Sequence, residues 1–325
     1  AKIVRGPDPD PAFEPVKYFL LLILSAIAIS ATAAQDTVRA LADEPLPDFR
    51  IFMIASGADV TINHLTVQNG HLPSYIGGGI LNEGSLTLND SSIVGNTAQL
   101  GGGIHNTGAL TANNSAFTGN IAESSGGGIS SSGTLTVSES SFTDNTALLG
   151  DSILVSEGTS TVTGSNFSGD TPYTCPASPN TVPASDTAAL IEAIRCANSS
   201  SSDTVINLVS STYSLTSVDN DGLGNGNTGL PIIESADIAG TLTINGNGAT
   251  ITRSPDGAPD FRIFMVTYAG DLTLNDVTVQ GGHLLSENGA GLFSLFGKVT
   301  TNHTTFHNNT ASFGGAINNQ DGDLT

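Results

Sequence analysis

The chain has 325 residues, of which 30 are acidic and 9 are lysine or arginine, giving a formal net charge of −21. The bases form no cluster, and a protein that neutralises phosphates needs a basic stripe, so the composition excludes nucleic acid as a partner. Charged residues are only 12% of the chain and glycine occurs 38 times, which fits neither a helical bundle nor a charged disordered tail. The acidity suits a soluble extracellular surface.

An apolar run, YFLLLILSAIAIS, covers residues 18–30, and small residues follow it up to Ala34. This is the pattern of a secretory signal with its cleavage site. We therefore expect residues 1–34 to be an N-terminal extension and a signal helix, with translation starting at Val16 and residues 1–15 arising from upstream read-through. The run is shorter than the roughly 20 apolar residues of a membrane span, and a retained membrane anchor is the alternative.

Units of 24 to 25 residues recur after this segment, and such a period is typical of a solenoid. Each unit holds three short apolar segments separated by Gly, Asn and Ser turns, which predicts three strands per coil. We therefore predict an all-β fold, a right-handed parallel β-helix. A leucine-rich horseshoe has a similar period, but its recurrent leucine spacing is missing. The units begin at Gly77, Gly101, Gly126, Gly150, Gly289 and Gly314.

Glycines and asparagines recur at fixed places within the units. We expect the Gly-Gly-Gly clusters to form tight corners, where φ is positive or a side chain would strike the next coil. Asparagines stacked in register are expected to form amide ladders along the axis, a structural role rather than a binding one. One predicted ladder comprises Asn96, Asn120, Asn145 and Asn309, and a second comprises Asn82, Asn106 and Asn318.

A longer duplication overlies the coils, because residues 47–72 return as residues 259–284. We accordingly divide the chain after the signal into a first β-helix unit, a linker with a capping helix, and a second β-helix unit. The first unit is truncated at its start and the second at its end, which predicts that the sequence is a fragment of a longer protein. The predicted boundaries are 35–172, 173–198 and 199–325.

The linker contains the best helical pattern of the predicted mature chain, at residues 185–198, with Ser185 as the N-cap. A short amphipathic helix before the first coil is the expected lid on a solenoid core. The two cysteines, Cys175 and Cys196, also lie in this segment. In an exported protein such a pair is expected to form a disulfide, and two free thiols are the alternative.

Two resemblances follow from these motifs. Gly-Gly-Ala-Ile at Gly314 and Phe-x-x-Asn at Phe117 and Phe306 resemble the paired repeats of the chlamydial polymorphic outer membrane proteins. The segment at residues 190–198 is similar to the CSLREA segment that opens many bacterial β-helix surface proteins, although Ile191 stands where that motif has Arg. Both resemblances imply a secreted or outer-membrane surface protein, often adhesin-like, without an assigned catalytic site.

A carbohydrate-active β-helix, either a polysaccharide lyase or a glycoside hydrolase, is the alternative function. A lyase needs an acidic calcium cluster and a base on one face, and bases are sparse here. Arg50 and Arg262 are equivalents in the duplication, as are His71 and His283, which indicates structural roles. An inverting glycosidase needs two carboxylates about 6.5–9.5 Å apart, and the sequence pairs none.

One oxygen-rich acidic loop, residues 219–228, is a candidate Ca²⁺ site with Asp219, Asp221 and Asn225 as ligands. It lacks the closing Glu of an EF-hand, and a plain Gly/Asn turn is the alternative. No other cofactor is predicted. Among the histidines, His64, His105, His303 and His307 are candidate metal ligands, and exposure to solvent is favoured for the pair His303 and His307.

The sequence thus favours a secreted or surface-displayed β-helix with an adhesin-like or structural role and no catalysis. Its expected partners are glycans or proteins on host or neighbouring cells. Contact with a membrane is expected only through the signal or through an anchor outside the sequence.

Overall fold

In the computed structural model, the described part of the chain folds as an all-β parallel solenoid of about 11 turns with a single α-helix. The predicted fold class is therefore confirmed. Each strand pairs in parallel with the strand one turn away, so that backbone groups are satisfied between turns about 4.8 Å apart. The described residues are 27–30, 36–39, 48–168, 170, 172–200, 202–234, 240–268 and 270–325.

The first unit is built from short strands separated by turns. Its strands are β1 (Ile27–Ser30), β2 (Asp36–Arg39), β3 (Phe52–Ile54), β4 (Asp59–Asn63), β5 (Leu65–Gln68), β6 (His71–Ile76), β7 (Ile80–Asn82), β8 (Ser85–Asn89), β9 (Ser92–Val94), β10 (Thr97–Leu100), β11 (Ile104–Asn106), β12 (Ala109–Asn113), β13 (Ala116–Thr118), β14 (Ile121–Ser125), β15 (Ile129–Ser131), β16 (Thr134–Ser138), β17 (Ser141–Thr143), β18 (Ile153–Val155), β19 (Thr159–Thr163), β20 (Asn166–Ser168) and β21 (Tyr173–Thr174).

The second unit follows a short lead-in that contains the helix. Its elements are β22 (Asn180–Val182), α1 (Thr187–Asn198), β23 (Thr204–Leu208), β24 (Thr212–Leu215), a 3₁₀ turn (Gly222–Gly224), β25 (Leu242–Arg253), β26 (Phe264–Val266), β27 (Asp271–Gln280), β28 (His283–Asn288), β29 (Leu292–Leu295), β30 (Lys298–Asn302), β31 (Thr305–His307), β32 (Thr310–Phe313), β33 (Ile317–Gln320) and β34 (Asp323–Leu324).

Four sheets line the first unit. Sheet 1 has the order β1-β4-β8-β12-β16-β19, sheet 2 the order β2-β5-β9-β13-β17-β20, and sheet 3 the order β3-β7-β11-β15-β18-β21. The short sheet 4 contains β14-β10-β6. In the second unit the main sheet runs β22-β23-β25-β27-β30-β34, beside the smaller sheets β26-β29-β33 and β28-β32.

Most of the predicted signal helix lies outside the described residues. The last four residues of the apolar run, Ile27–Ser30, form strand β1 rather than a helix. Ile27 is in register with Val60 and Ile29 with Ile62. A strand here pairs the backbone edge of β4, which would otherwise stay open. The predicted domain boundaries stay predictions.

Alternation of apolar and polar residues places each core column. In β8, Leu86 and Leu88 are buried while the flanking polar residues are only partly covered. In sheet 2 the rings of Phe117 and Phe142 stack with centroids 4.6 Å apart, and Phe167 continues the stack at 5.0 Å. The FxxN repeat therefore supplies an aromatic column inside the solenoid.

The glycine clusters form the corners, as the recurrence of Gly predicted. Gly101 has a φ of +62°, which favours glycine. A Cβ on Gly102 would lie 2.3 Å from the carbonyl oxygen of Ile121 on the next turn. These corners therefore have no room for larger residues.

The helix α1 closes the core of the second unit. Leu190, Ile194 and Ala197 are buried within that core, which is separate from the core of the first unit. The predicted N-cap, Ser185, is wrong by one residue. Asp186 is the cap, because its carboxylate accepts a hydrogen bond from the Ala189 amide at 3.0 Å.

Candidate binding surface

The outward side of sheet 1 carries regular rows of small polar side chains. Thr61, Thr87, Thr111, Thr136 and Thr161 stand in register on five successive turns. Because parallel strands repeat every 4.8 Å or so, their hydroxyls form an evenly spaced row. The Leu-Thr pair of each repeat is the sequence signal for this row.

A second outward row runs beside the threonines. Asn89 donates to Asn63 Oδ1 at 2.7 Å, Asn113 donates to Asn89 Oδ1 at 2.9 Å, and Ser138 donates to Asn113 Oδ1 at 2.7 Å. The chained amides fix one another's orientation. The face therefore presents hydrogen-bonding groups to solvent in a defined arrangement over several turns.

The predicted ladder of Asn96, Asn120 and Asn145 lies in the interior of the first unit. Asn96 Nδ2 donates to Asn120 Oδ1 at 2.9 Å, and Asn120 Nδ2 donates to Asn145 Oδ1 at 2.9 Å. Asn145 in turn donates to the buried carboxylate of Asp170 at 2.7 Å. Asn309 occupies the matching place in the second unit, where it binds Gly282 N and Val279 O. These residues serve the fold and do not converge on one site.

The second predicted ladder needs a correction. Asn82 donates to Asn106 at 2.7 Å, and Asn106 donates to Ser131 at 2.9 Å. In the last turns, however, Asn318 is in register with Phe293, and it is Asn319 that follows the ladder position, opposite Ser294. The two adjacent asparagines made the alignment ambiguous by one residue, and a one-residue shift moves a side chain to the other face of a strand.

A disulfide joins Cys175, next to β21 of the first unit, to Cys196 on α1, with an S–S distance of 2.07 Å. Both cysteines are buried, together with Leu149 and Leu154 of the first unit. The bond therefore links the last turn of one solenoid to the lid of the other.

Breaking this disulfide is expected to lower the free energy of unfolding by about 3 kcal/mol or less, since it closes a loop of 21 residues. Urea denaturation with and without reductant measures the effect. The Cys175→Ala, Cys196→Ala double variant is the control, and its midpoint should not respond to reductant. An equal response of both proteins would contradict the assignment.

The candidate calcium loop places its oxygens against two arginines. Asp219 Oδ1 accepts from Arg195 Nη2 at 2.7 Å, and both side chains are largely covered. The carbonyl oxygens of Asn225 and Gly226 accept from the guanidinium of Arg262 at 2.6 and 3.2 Å. Within the described residues no group of three or more His, Cys, Asp or Glu side chains could hold a metal ion. Calcium binding through Asp219, Asp221 and Asn225 stays a prediction.

The duplicated bases hold backbone at the corners. Arg50 donates to the carbonyl oxygens of Ile76 and Gly77, and burial lowers the pKa of its guanidinium to about 10. Burial likewise lowers the pKa of Arg262 to about 10. Because both arginines satisfy carbonyls inside their own unit, their geometry is that of structural anchors.

A cleft of about 130 Å³ lies where the two units meet. Gln99 Nε2 donates to Glu234 Oε1 across it at 2.5 Å. Burial raises the pKa of Glu234. It also raises the pKa of Glu123, which lines the same cleft and is less buried. The cleft therefore brings two glutamates with raised pKa values, one from each unit, to one place that the sequence did not predict.

The geometry is that of a parallel β-solenoid repeat protein. Residues 303–320, which hold the Phe306 and Gly314 motifs, match the family model of the Chlamydia polymorphic membrane protein repeat. The predicted resemblance of the repeats is confirmed by this match, whereas the CSLREA resemblance stays a prediction. No curated protein and no solved structure matches the chain. Among the described residues, no helix combines the length and the apolar character needed to cross a membrane.

Proposed function

We propose that this protein is a secreted or surface-displayed adhesin-like solenoid, which binds the surfaces of other cells without catalysis. The observation that carries the proposal is the outward face of sheet 1, where threonines and hydrogen-bonded asparagines repeat in register over several turns. An extended row of weak hydrogen-bonding groups suits multivalent contact with a repetitive surface, since linked contacts reinforce one another. The repeat match at residues 303–320 supports a surface location.

The test is binding of the full chain to intact cells and to immobilised extracellular-matrix proteins. A Thr111→Lys, Thr136→Lys variant places two ammonium groups on the proposed face and should weaken binding about tenfold. The matched control carries Thr118→Lys and Thr143→Lys on the outward side of sheet 2, and its binding should stay near that of the unmodified protein. Equal losses in both variants would contradict the assignment of the face.

A polysaccharide depolymerisation assay, run with and without Ca²⁺, separates this proposal from the enzymatic alternative. Binding without turnover supports an adhesin. Turnover would overturn it, and Glu234→Gln would then show whether the glutamates at the junction cleft carry the chemistry, because a raised pKa suits a general acid.

A further inference from the structure

An exposed aromatic corner lies on the second unit and is formed by Tyr268 and Phe296. Tyr268 lies between β26 and β27, and Phe296 lies one turn later between β29 and β30. The two side chains are 76% and 50% exposed. Their ring centroids are 6.3 Å apart with planes at 65°. Two rings on successive turns thus form a stepped apolar platform in water.

The fold does not require rings at this corner. In the duplicated segment of the first unit, the residue that corresponds to Tyr268 is the exposed Ser56. The later corners of the first unit are made by short polar pairs such as Glu83-Gly84 and Thr107-Gly108, where the second unit has Phe296-Gly297. The aromatic corner is therefore a local addition to a turn that closes without it.

The backbone conformation of Phe296 is a second indication that this corner has a function. Its φ is +59°, in the left-handed region that residues with a Cβ rarely adopt. An exposed phenylalanine in that conformation destabilises the folded state through its backbone, and its burial offsets little of that cost. Strain of this kind persists mainly at functional sites.

Hydrogen-bonding groups surround one side of the platform. A hollow of about 280 Å³ is lined by Phe296, Lys298, Asp271, Asp321 and Asp323. Lys298 Nζ binds Asp271 Oδ2 at 2.7 Å. The other oxygen of that carboxylate is buried and has no hydrogen-bond partner among the residues described. The hollow thus combines an aromatic wall, an ammonium group and carboxylates.

We propose that this corner binds a neutral saccharide. A pyranose has an apolar face of C–H groups that stacks on aromatic rings, and hydroxyls around its edge that bind carboxylates and ammonium groups. Three aspartates against one lysine disfavour anionic sugars. The inference rests on the proposed adhesin-like function and gives it a ligand class.

The experiment measures binding of the full chain to immobilised neutral oligosaccharides built from glucose, galactose or mannose, with sialylated and uronate oligosaccharides as the anionic probes. Phe296→Gly removes a ring and also relieves the positive φ, so its unfolding midpoint should equal or exceed that of the unmodified protein. Tyr268→Ser restores the residue found in the first unit. Each change should weaken neutral-saccharide binding about tenfold.

Tyr75→Ser, which removes a 48% exposed tyrosine from the first unit, is the matched control and should leave binding unchanged. Unchanged neutral-saccharide binding in the Tyr268→Ser, Phe296→Gly double variant would overturn the inference, as would a preference for the anionic probes. If the full chain binds intact cells but no neutral oligosaccharide, the inference fails while the proposed function stands. If it binds neither, both fail.

Discussion

Replacing Asn120 by alanine is expected to lower the free energy of unfolding by about 2–9 kcal/mol, since two or three buried polar groups lose their partner at about 1–3 kcal/mol each. The Asn120 carboxamide accepts from the backbone and side-chain nitrogens of Asn96 and donates to Ile93 O and Asn145 Oδ1. Alanine reaches none of these atoms. Urea denaturation followed by circular dichroism measures the loss.

Asn113→Ala is the matched control, because Asn113 makes the same kind of ladder on the outward side of sheet 1. Water replaces its partners, so the expected loss is about 1 kcal/mol or less. A result in which the two variants are equally stable would show that the interior ladder contributes no more than a surface one.

The second large effect concerns His105, which is completely buried in β11. Neither ring nitrogen has a hydrogen-bond partner among the residues described. Burial, with a smaller contribution from the positive charge of Arg50, lowers the pKa of this histidine to about 3. The folded protein therefore holds a neutral imidazole at a pH where the unfolded chain would carry a proton.

The stability that depends on a neutral His105 is fully present above pH 6.5, which is the ordinary pKa of histidine. It is lost as the pH falls toward 3. The loss by pH 3 is on the order of 4–5 kcal/mol at 1.36 kcal/mol per pKa unit. His105→Leu should remove this loss of stability. Leucine fits the position, since Leu81 and Leu154 occupy the same column of sheet 3 on two other turns.

Unfolding midpoints of the unmodified protein and His105→Leu, measured from pH 7 to pH 3, isolate this contribution from that of the other titrating groups. The two curves should diverge below pH 6.5. Leu154→His is the converse variant and should add acid sensitivity. Parallel curves for the unmodified protein and His105→Leu would show that the imidazole finds solvent or a partner in solution.

The asparagine ladder could be predicted because each amide recurs at its repeat position, and recurrence along a solenoid becomes adjacency in space. Its end could not. Asp170 terminates the ladder. It follows Phe167 with the spacing of Phe142 and Asn145, but a carboxylate stands where the repeat predicts an amide. The error over Asn318 has another origin, since two neighbouring asparagines satisfy the pattern equally well.

The burial of His105 could not be predicted from the sequence, for a different reason. The outward side of sheet 3 is covered by residues of the neighbouring short strands, as the cluster of Leu81 with Ile76 and Leu100 shows. A single repeat predicts which residues face the core of its own coil, but not that a second layer covers the opposite face. The aromatic corner escaped prediction likewise, because Tyr268 and Phe296 lie 28 positions apart in non-repeated turn residues.

The register of the sheets also bears on how such a chain can change in length. Each turn pairs only with the turn before and the turn after, and its residues stand opposite their own counterparts, as Thr87, Thr111 and Thr136 do. Unequal recombination between two repeats would therefore delete or insert a whole turn and leave both new neighbours in register. The solenoid would shorten or lengthen in steps of about 4.8 Å and keep its fold. A change in repeat number would therefore change how far the molecule extends.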